Sequence, residues 1–138
     1  MFAQLAICAT VLLGGNEGLV ELRPDHPELI PIEQNIITQT NAQRQQYGLP
    51  PLQVDMNLVQ SARQHTTWMT LNRILRHTLH PVAENIAMGQ GSSQEVVGDW
   101  MRSPGHRANI LNAVNRRIGV AAFRCQDGTI FWCQQFAP

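Results

Sequence analysis

The chain reads as an α+β domain with its helices first and an antiparallel hairpin last. Apolar residues recur at helical spacing from about residue 33 to residue 111. An Asp127-Gly128 pair then separates two strand-like runs, the signature of a tight hairpin turn. A length of 138 residues fits one domain with one hydrophobic core. This order of elements predicts helices packed on a sheet.

The first segment, Met1 to Leu13, is almost wholly apolar and is broken by Gly14-Gly15-Asn16-Glu17-Gly18. It is too short to span a bilayer, which takes roughly 20 apolar residues. It has the length of a signal-peptide apolar region, but the expected preceding charges and a small-x-small cleavage site are missing. A start codon assigned too far downstream would account for the charges; a buried or frayed N-terminal segment is the competing reading. Residues 16–32 carry three prolines and several acids without a period and read as an extended lead-in. The chain thus divides into a leader and lead-in over 1–32 and a folded domain over 33–138.

A first helix is expected from about Glu33 to Tyr47, with Ile36, Ile37, Thr40, Arg44 and Tyr47 on one face. Gly48 stops it and Pro50-Pro51 prevent continuation. Asp55 suits the N-cap of a second helix, where Leu58, Ala62, His65 and Met69 form one mainly apolar stripe. Arg73 to Gly89 is looser, and Pro81 argues against a continuous helix through it. Ser92 begins a third helix with Val96, Val97, Trp100 and Met101 on its buried side. Ser103-Pro104-Gly105 ends that helix, and a short one follows from about His106 to Leu111. The hairpin strands are Ile118–Cys125 and Thr129–Phe136. A two-residue turn would set Cys125 opposite Ile130 and Cys133 opposite Ala122. The odd offset puts the two sulfurs on opposite faces, so two buried thiols are expected unless a bulge shifts the register. Cys8 lies in the leader.

Composition narrows the function classes. The apolar fraction of 43% is ordinary, and ten arginines balance ten acids for a formal charge of zero. There is no lysine, and the arginines are scattered. Without a basic stripe, no nucleic-acid partner is expected. No Gly-rich phosphate loop, CxxC pair or HExxH helix is present.

Among the five histidines, His77 and His106 stand on irregular positions, as does Glu84. Side chains on loops and element ends can converge on a cleft, whereas periodic ones usually pack a core. Taken alone, these residues form either a metal or catalytic cluster or three unrelated polar groups with local partners.

The segments NAQRQQYGLPPL (41–52), RILRH (73–77), AENIAMG (83–89), VVGDWMRSPGHRANIL (96–111) and RIGVAAFRCQDGTIFWCQQF (117–136) resemble the CAP superfamily of cysteine-rich secretory, antigen 5 and pathogenesis-related proteins. WMRSPGHRANIL is similar to its compact bacterial form. The resemblance covers about residues 33 to 138. It implies a three-layer α-β-α sandwich with a mainly antiparallel central sheet, an extracellular or periplasmic setting, and a cleft lined by two His and two Glu. The first family His matches His77, the first Glu matches Glu84, and the second His matches His106. The second Glu stands three residues after the helix Trp, where this chain has Ser103.

Glu95 does not substitute for it. Ser92 and Glu95 have the spacing of a capping box, and Glu95 points away from the apolar face of its helix. His65 lies on the second helix's stripe and reads as a core residue; His26 reads as solvated. His80 competes with His77, and the RILRH motif favours His77. Asn41 and Arg44, at i and i+3, are expected to tie their helix to a neighbouring loop.

The resemblance therefore implies a secreted module whose cleft of His77, Glu84, Ser103 and His106 binds a small ligand or a divalent metal without turnover. The metal ligands would be His77 and His106. Zinc suits two imidazoles and a carboxylate, and a helix start beside His106 disfavours imidazolium. The alternative is a metal-dependent hydrolase with Glu84 as general base. No second acid is at hand to protonate a leaving group in that case. Ser103 could orient water, but a nucleophile's role is weak because Met101 stands where a nucleophile elbow has glycine. A lipid partner, as in some family members, has no identifiable groove. A purely structural hydrogen-bond network is the remaining reading.

Overall fold

The computed structural model describes residues 27–138, together with the backbone of a two-residue antiparallel pair, β1 (Thr10–Val11) and β2 (Val20–Glu21). Apart from that pair the leader lies outside the described residues, as do Cys8, His26 and most of the lead-in. The domain then runs α1 (Pro31–Gln46), β3 (Gln53–Val54), α2 (Met56–Asn72), β4 (Ala83–Met88), α3 (Ser93–Arg102), α4 (Pro104–Leu111), β5 (Arg117–Arg124) and β6 (Ile130–Ala137). Strands β3, β5, β6 and β4 lie side by side in that order. The β3–β5 pair is parallel, and β5–β6 and β6–β4 are antiparallel. This is the expected α+β sandwich with a mainly antiparallel sheet.

The period of two along the hairpin builds two cores. Ile118, Val120 and Ala122 of β5, with Ile130, Trp132 and Phe136 of β6, face α1, α3 and α4. Ala121, Cys125, Phe131 and Cys133 face α2, where they meet Ala62 and Met69. Each fully buried large apolar side chain contributes about 1.5–3 kcal/mol, and Trp100 and Trp132 are the largest of them. Helix α3 buries the stripe its pattern predicts, Val96, Val97, Trp100 and Met101.

Buried arginines tie the layers together. Arg44 of α1 is fully buried and donates to four carbonyls, those of Pro50, Ile110, Asn112 and Asn115. Asn41 exchanges two hydrogen bonds with the backbone of Leu52. Both residues thus have the structural role expected of them. On α2, Arg63 forms a two-pronged ion pair with Glu33 at the start of α1, both contacts at 2.7 Å. A buried charge is tolerated only when paired in this way.

Three expectations need correction. The stretch from Arg73 to Gly89 contains a strand, β4, where only loop was expected. Its sequence hides it, because Glu84 and Asn85 are both buried and break the polar–apolar alternation. On α2 the buried face is Val59, Ala62, Arg63, Thr66 and Met69, so His65 lies at the margin and not in the core. The helix seats itself by its backbone on Gly119, where a Cβ would overlap the main chain of Leu58 and Val59. Arg63 is then drawn inward to Glu33, and Thr66 bonds the carbonyl of Ala62.

The third correction is the hairpin register. Gly128 adopts φ +89° and bonds back to the Cys125 carbonyl, while the Cys125 N–H meets Thr129. The turn therefore has three residues, Gln126 to Gly128, with glycine in the left-handed position of a bulge. Ala121 stands opposite Cys133, and Arg124 opposite Ile130. Cys125 consequently shares a face with Cys133. Thr129, the partner of Cys125, lies four residue steps from Cys133, roughly 13 Å of strand, and both thiols are free and buried.

Gly119→Ala should destabilise the domain by about 3 kcal/mol or more in urea unfolding, because neither α2's backbone nor the central strand can yield. An unchanged midpoint would show that α2 does not rest on this strand.

Candidate functional site

The site is organised around β4, which is an edge strand of the sheet. An open edge leaves carbonyls unpaired, and here side chains cover them. Trp100 Nε1 donates to the Ile86 carbonyl at 3.2 Å. Asn109 Nδ2 reaches the Glu84 carbonyl at 3.3 Å and Asn85 Oδ1 at 2.9 Å.

Glu84 and Asn85 point to opposite faces of the strand; Glu84 holds the ring of His77 and Asn85 the main chain at His106. On the α2 face, the Glu84 carboxylate is 2% exposed. Its Oε1 accepts from His77 Nδ1 at 2.8 Å and from the Thr78 N–H at 2.9 Å. Its Oε2 accepts from Gln135 Nε2 at 2.8 Å and from the Cys133 thiol at 3.6 Å. The carboxylate is thereby saturated. With Glu84 accepting at Nδ1, the neutral imidazole form of His77 carries its proton there and leaves Nε2 as a lone pair. The His77 ring is otherwise open to solvent, 61% exposed.

On the other face, Asn85 Nδ2 donates to the His106 carbonyl at 3.1 Å and to Gln134 Oε1 at 2.9 Å. Gln134 in turn donates to Thr40 Oγ1. This chain of amides joins α1, β6, β4 and the first turn of α4. His106 is half-buried, and burial together with the neighbouring His77 pushes its pKa below the ordinary 6.5. Burial and the Glu84 charge push the Cys133 thiol well up, so it stays protonated and donates.

Of the residues expected in the cleft, His77 and Glu84 are in direct contact, and His106 lies close enough to His77 for their charges to interact. Ser103 stands at the corner between α3 and α4 and caps neither with its hydroxyl. Among the described residues no hydrogen bond joins it to the two histidines or Glu84. His80 does not bond Glu84; its N–H meets the Thr78 hydroxyl. Glu95 acts as a cap: its N–H bonds Ser92 Oγ and its carboxylate accepts from Gly91 N–H. Gln135, Asn85 and Asn109 were not anticipated. Gln135 was within reach, because it stands one residue before Phe136 on a strand whose alternation was legible. Its pairing with Glu84 was hidden because β4 was not expected as a strand.

His77 Nε2 and a ring nitrogen of His106 are the two groups here that could serve as imidazole ligands to a divalent ion, with other positions left to water or ligand. Glu84 then supports His77 from behind, the usual place of a carboxylate in such sites. Among the described residues no group of three or more His, Cys, Asp and Glu is placed to hold an ion.

A sequence profile described as the CAP, Cysteine-rich secretory protein family, matches residues 37–136. The Bacillus subtilis protein YkwD, described as uncharacterized, is 38% identical over 121 residues, covering 75% of this chain and 46% of its own. The chain thus spans about half the length of that relative. An extracellular protein of Bacillus anthracis containing an SCP domain superposes with a TM-score of 0.66 at 25% identity, over 81% of this chain and 45% of its own. The structure of NaASP2 with Zn2+ gives a TM-score of 0.69 at 13% identity, covering 83% of each chain. By the extent of the profile match, the chain belongs to the cysteine-rich secretory protein, or CAP, family.

Proposed function

We propose that this protein is a secreted CAP module that binds a divalent metal ion, zinc by preference, through His77 and His106, without turnover. The supporting observation is the setting of the two imidazoles. Glu84 bonds His77 at Nδ1, leaving Nε2 of the neutral ring free, and burial, with the neighbouring His77, lowers the His106 pKa and so favours its neutral form. Neutral imidazole nitrogens are the ligands zinc selects. When bound, the ion would offer its open positions as a Lewis acid to a water or a ligand oxygen.

The hydrolase reading needs Glu84 as a general base. Its carboxylate accepts four donors and is buried, so no lone pair faces a water. Glu84 is therefore a positioning group for His77. The zinc-containing NaASP2 structure favours metal binding in the fold, and the extracellular B. anthracis relative favours secretion. No helix of the described residues is long and apolar enough to cross a membrane.

Calorimetric titration of metal-free protein with zinc should show one site, abolished by His77→Ala combined with His106→Ala. Glu84→Gln should weaken binding about 10- to 100-fold, as loss of a supporting carboxylate does, and leave the site in place. Zinc heats unchanged in the double variant would overturn the assignment.

The His106 ring should titrate below 6.5 in histidine NMR, and His77→Ala should move its pKa upward by removing the neighbouring charge. Below 6.5 the unfolded chain takes up a proton that folded His106 resists. Stability should therefore fall as pH drops from 6.5 toward the folded pKa. A His106 signal that ignores His77→Ala would separate the two rings and argue against a shared ion.

A further inference from the structure

Beside His77, on the side of α2, lies a cavity of about 270 Å³ that the metal reading does not use. Its walls are His65 and Trp68 of α2 and the segment from Arg76 to His80. Neither Glu84 nor His106 lines it. The wall is organised by a hydrogen bond from His65 Nε2 to the Arg76 carbonyl at 2.6 Å. A carbonyl only accepts, so this bond fixes the His65 tautomer as well.

The chemistry of the lining is one-sided. Three imidazoles and one guanidinium face the space, and no carboxylate does. Arg73, the nearest other cation in sequence, is paired with Asp127 at 2.5 Å. Arg76 has no carboxylate partner among the described residues; its guanidinium lies 5.7 Å from the Trp68 ring centre. The His65 ring lies parallel to Trp68, 8° from coplanar, with ring centres 5.9 Å apart. Leu79 adds an apolar side chain that is 97% exposed. A leucine left in water beside a tryptophan edge and an unpaired arginine is a surface built for something both apolar and negative.

We propose that this cavity binds a small organic anion, an apolar or aromatic body bearing one carboxylate. Arg76 is its ion-pair partner, and Trp68 and Leu79 lie against the body. The volume sits just under the usual range for small-molecule sites, which sets the ligand at about the size of a single substituted ring. The Arg76 guanidinium, 5.7 Å from the Trp68 ring centre, offers N–H donors of the kind that pair a carboxylate two-pronged. The site does not require an ion at His77 and His106.

The test is NMR titration with phenylacetate, with phenylacetamide and acetate as matched probes lacking the charge or the ring. Trp100 and Trp132 are buried and bonded to carbonyls, so only the Trp68 indole signal should move. Phenylacetate should shift it saturably, with each control binding about fivefold or more weakly. Arg76→Gln, at an exposed position, should weaken phenylacetate about fivefold or more and leave phenylacetamide unchanged. Undisturbed Trp100 and Trp132 signals will show that this variant is folded. His106→Ala should abolish zinc binding but not phenylacetate binding. The proposal is overturned if phenylacetate fails to saturate, if phenylacetamide binds equally well, or if Arg76→Gln has no effect. Loss of phenylacetate binding with His106→Ala would also overturn it, by placing the anion in the metal cleft.

Discussion

The carboxylate of Glu84 lies on an edge strand with almost no access to water, and a charge so placed costs several kcal/mol unless every oxygen is satisfied. The donors that satisfy it come from two separate places, β6 and the segment between α2 and β4. Gln135 and Cys133 belong to β6, Thr78 offers its main chain, and His77 its ring. Through these bonds one side chain anchors the segment between α2 and β4 to the sheet. The exposed ring of His77 is held in one tautomer because the group behind it has no other arrangement available.

Asn85, the next residue, does the matching task on the opposite face. Its amide bridges the first turn of α4 to Gln134, and Asn109 closes the network. Adjacent residues on a single strand thus hold the ring of His77 on one face and the main chain at His106 on the other. The arginine hubs at Arg44 and Arg63 hold the surrounding helices by the same principle, with planar guanidinium groups reaching several acceptors at once. The chain has no lysine. The described buried cations are therefore guanidinium groups, which keep their charge under burial better than an ammonium does.

Much of this fold could be read from the residues alone, for identifiable reasons. α3 was legible because its apolar stripe is uninterrupted and Ser92 with Glu95 mark its start. The cap at Asp55 was legible because its side chain has no competing role in the core. β4 was not, since Glu84 and Asn85 are buried polar residues whose partners lie far away in sequence. The inward face of α2 was misread by one step for the same reason, as Arg63 and Thr66 take core positions that apolar patterning cannot anticipate. The hairpin slipped by one residue because Asp127-Gly128 fits both a two-residue turn and a three-residue turn ending in a glycine bulge. His77, Glu84 and His106 came from the family resemblance, while the polar residues that hold them became visible only in three dimensions. The cavity beside Trp68 was hidden because His65 occupies a position that periodicity assigns to the core.

The glycine bulge brings Cys125 and Cys133 onto one face and still leaves them too far apart to join. In a family named for its cysteines, this domain is held by hydrogen bonds and ion pairs in place of covalent links between its described thiols. No electron acceptor is needed to join those two thiols in the folded domain. The described part of the fold therefore closes on packing, hydrogen bonds and ion pairs alone, with both of its thiols in the reduced state.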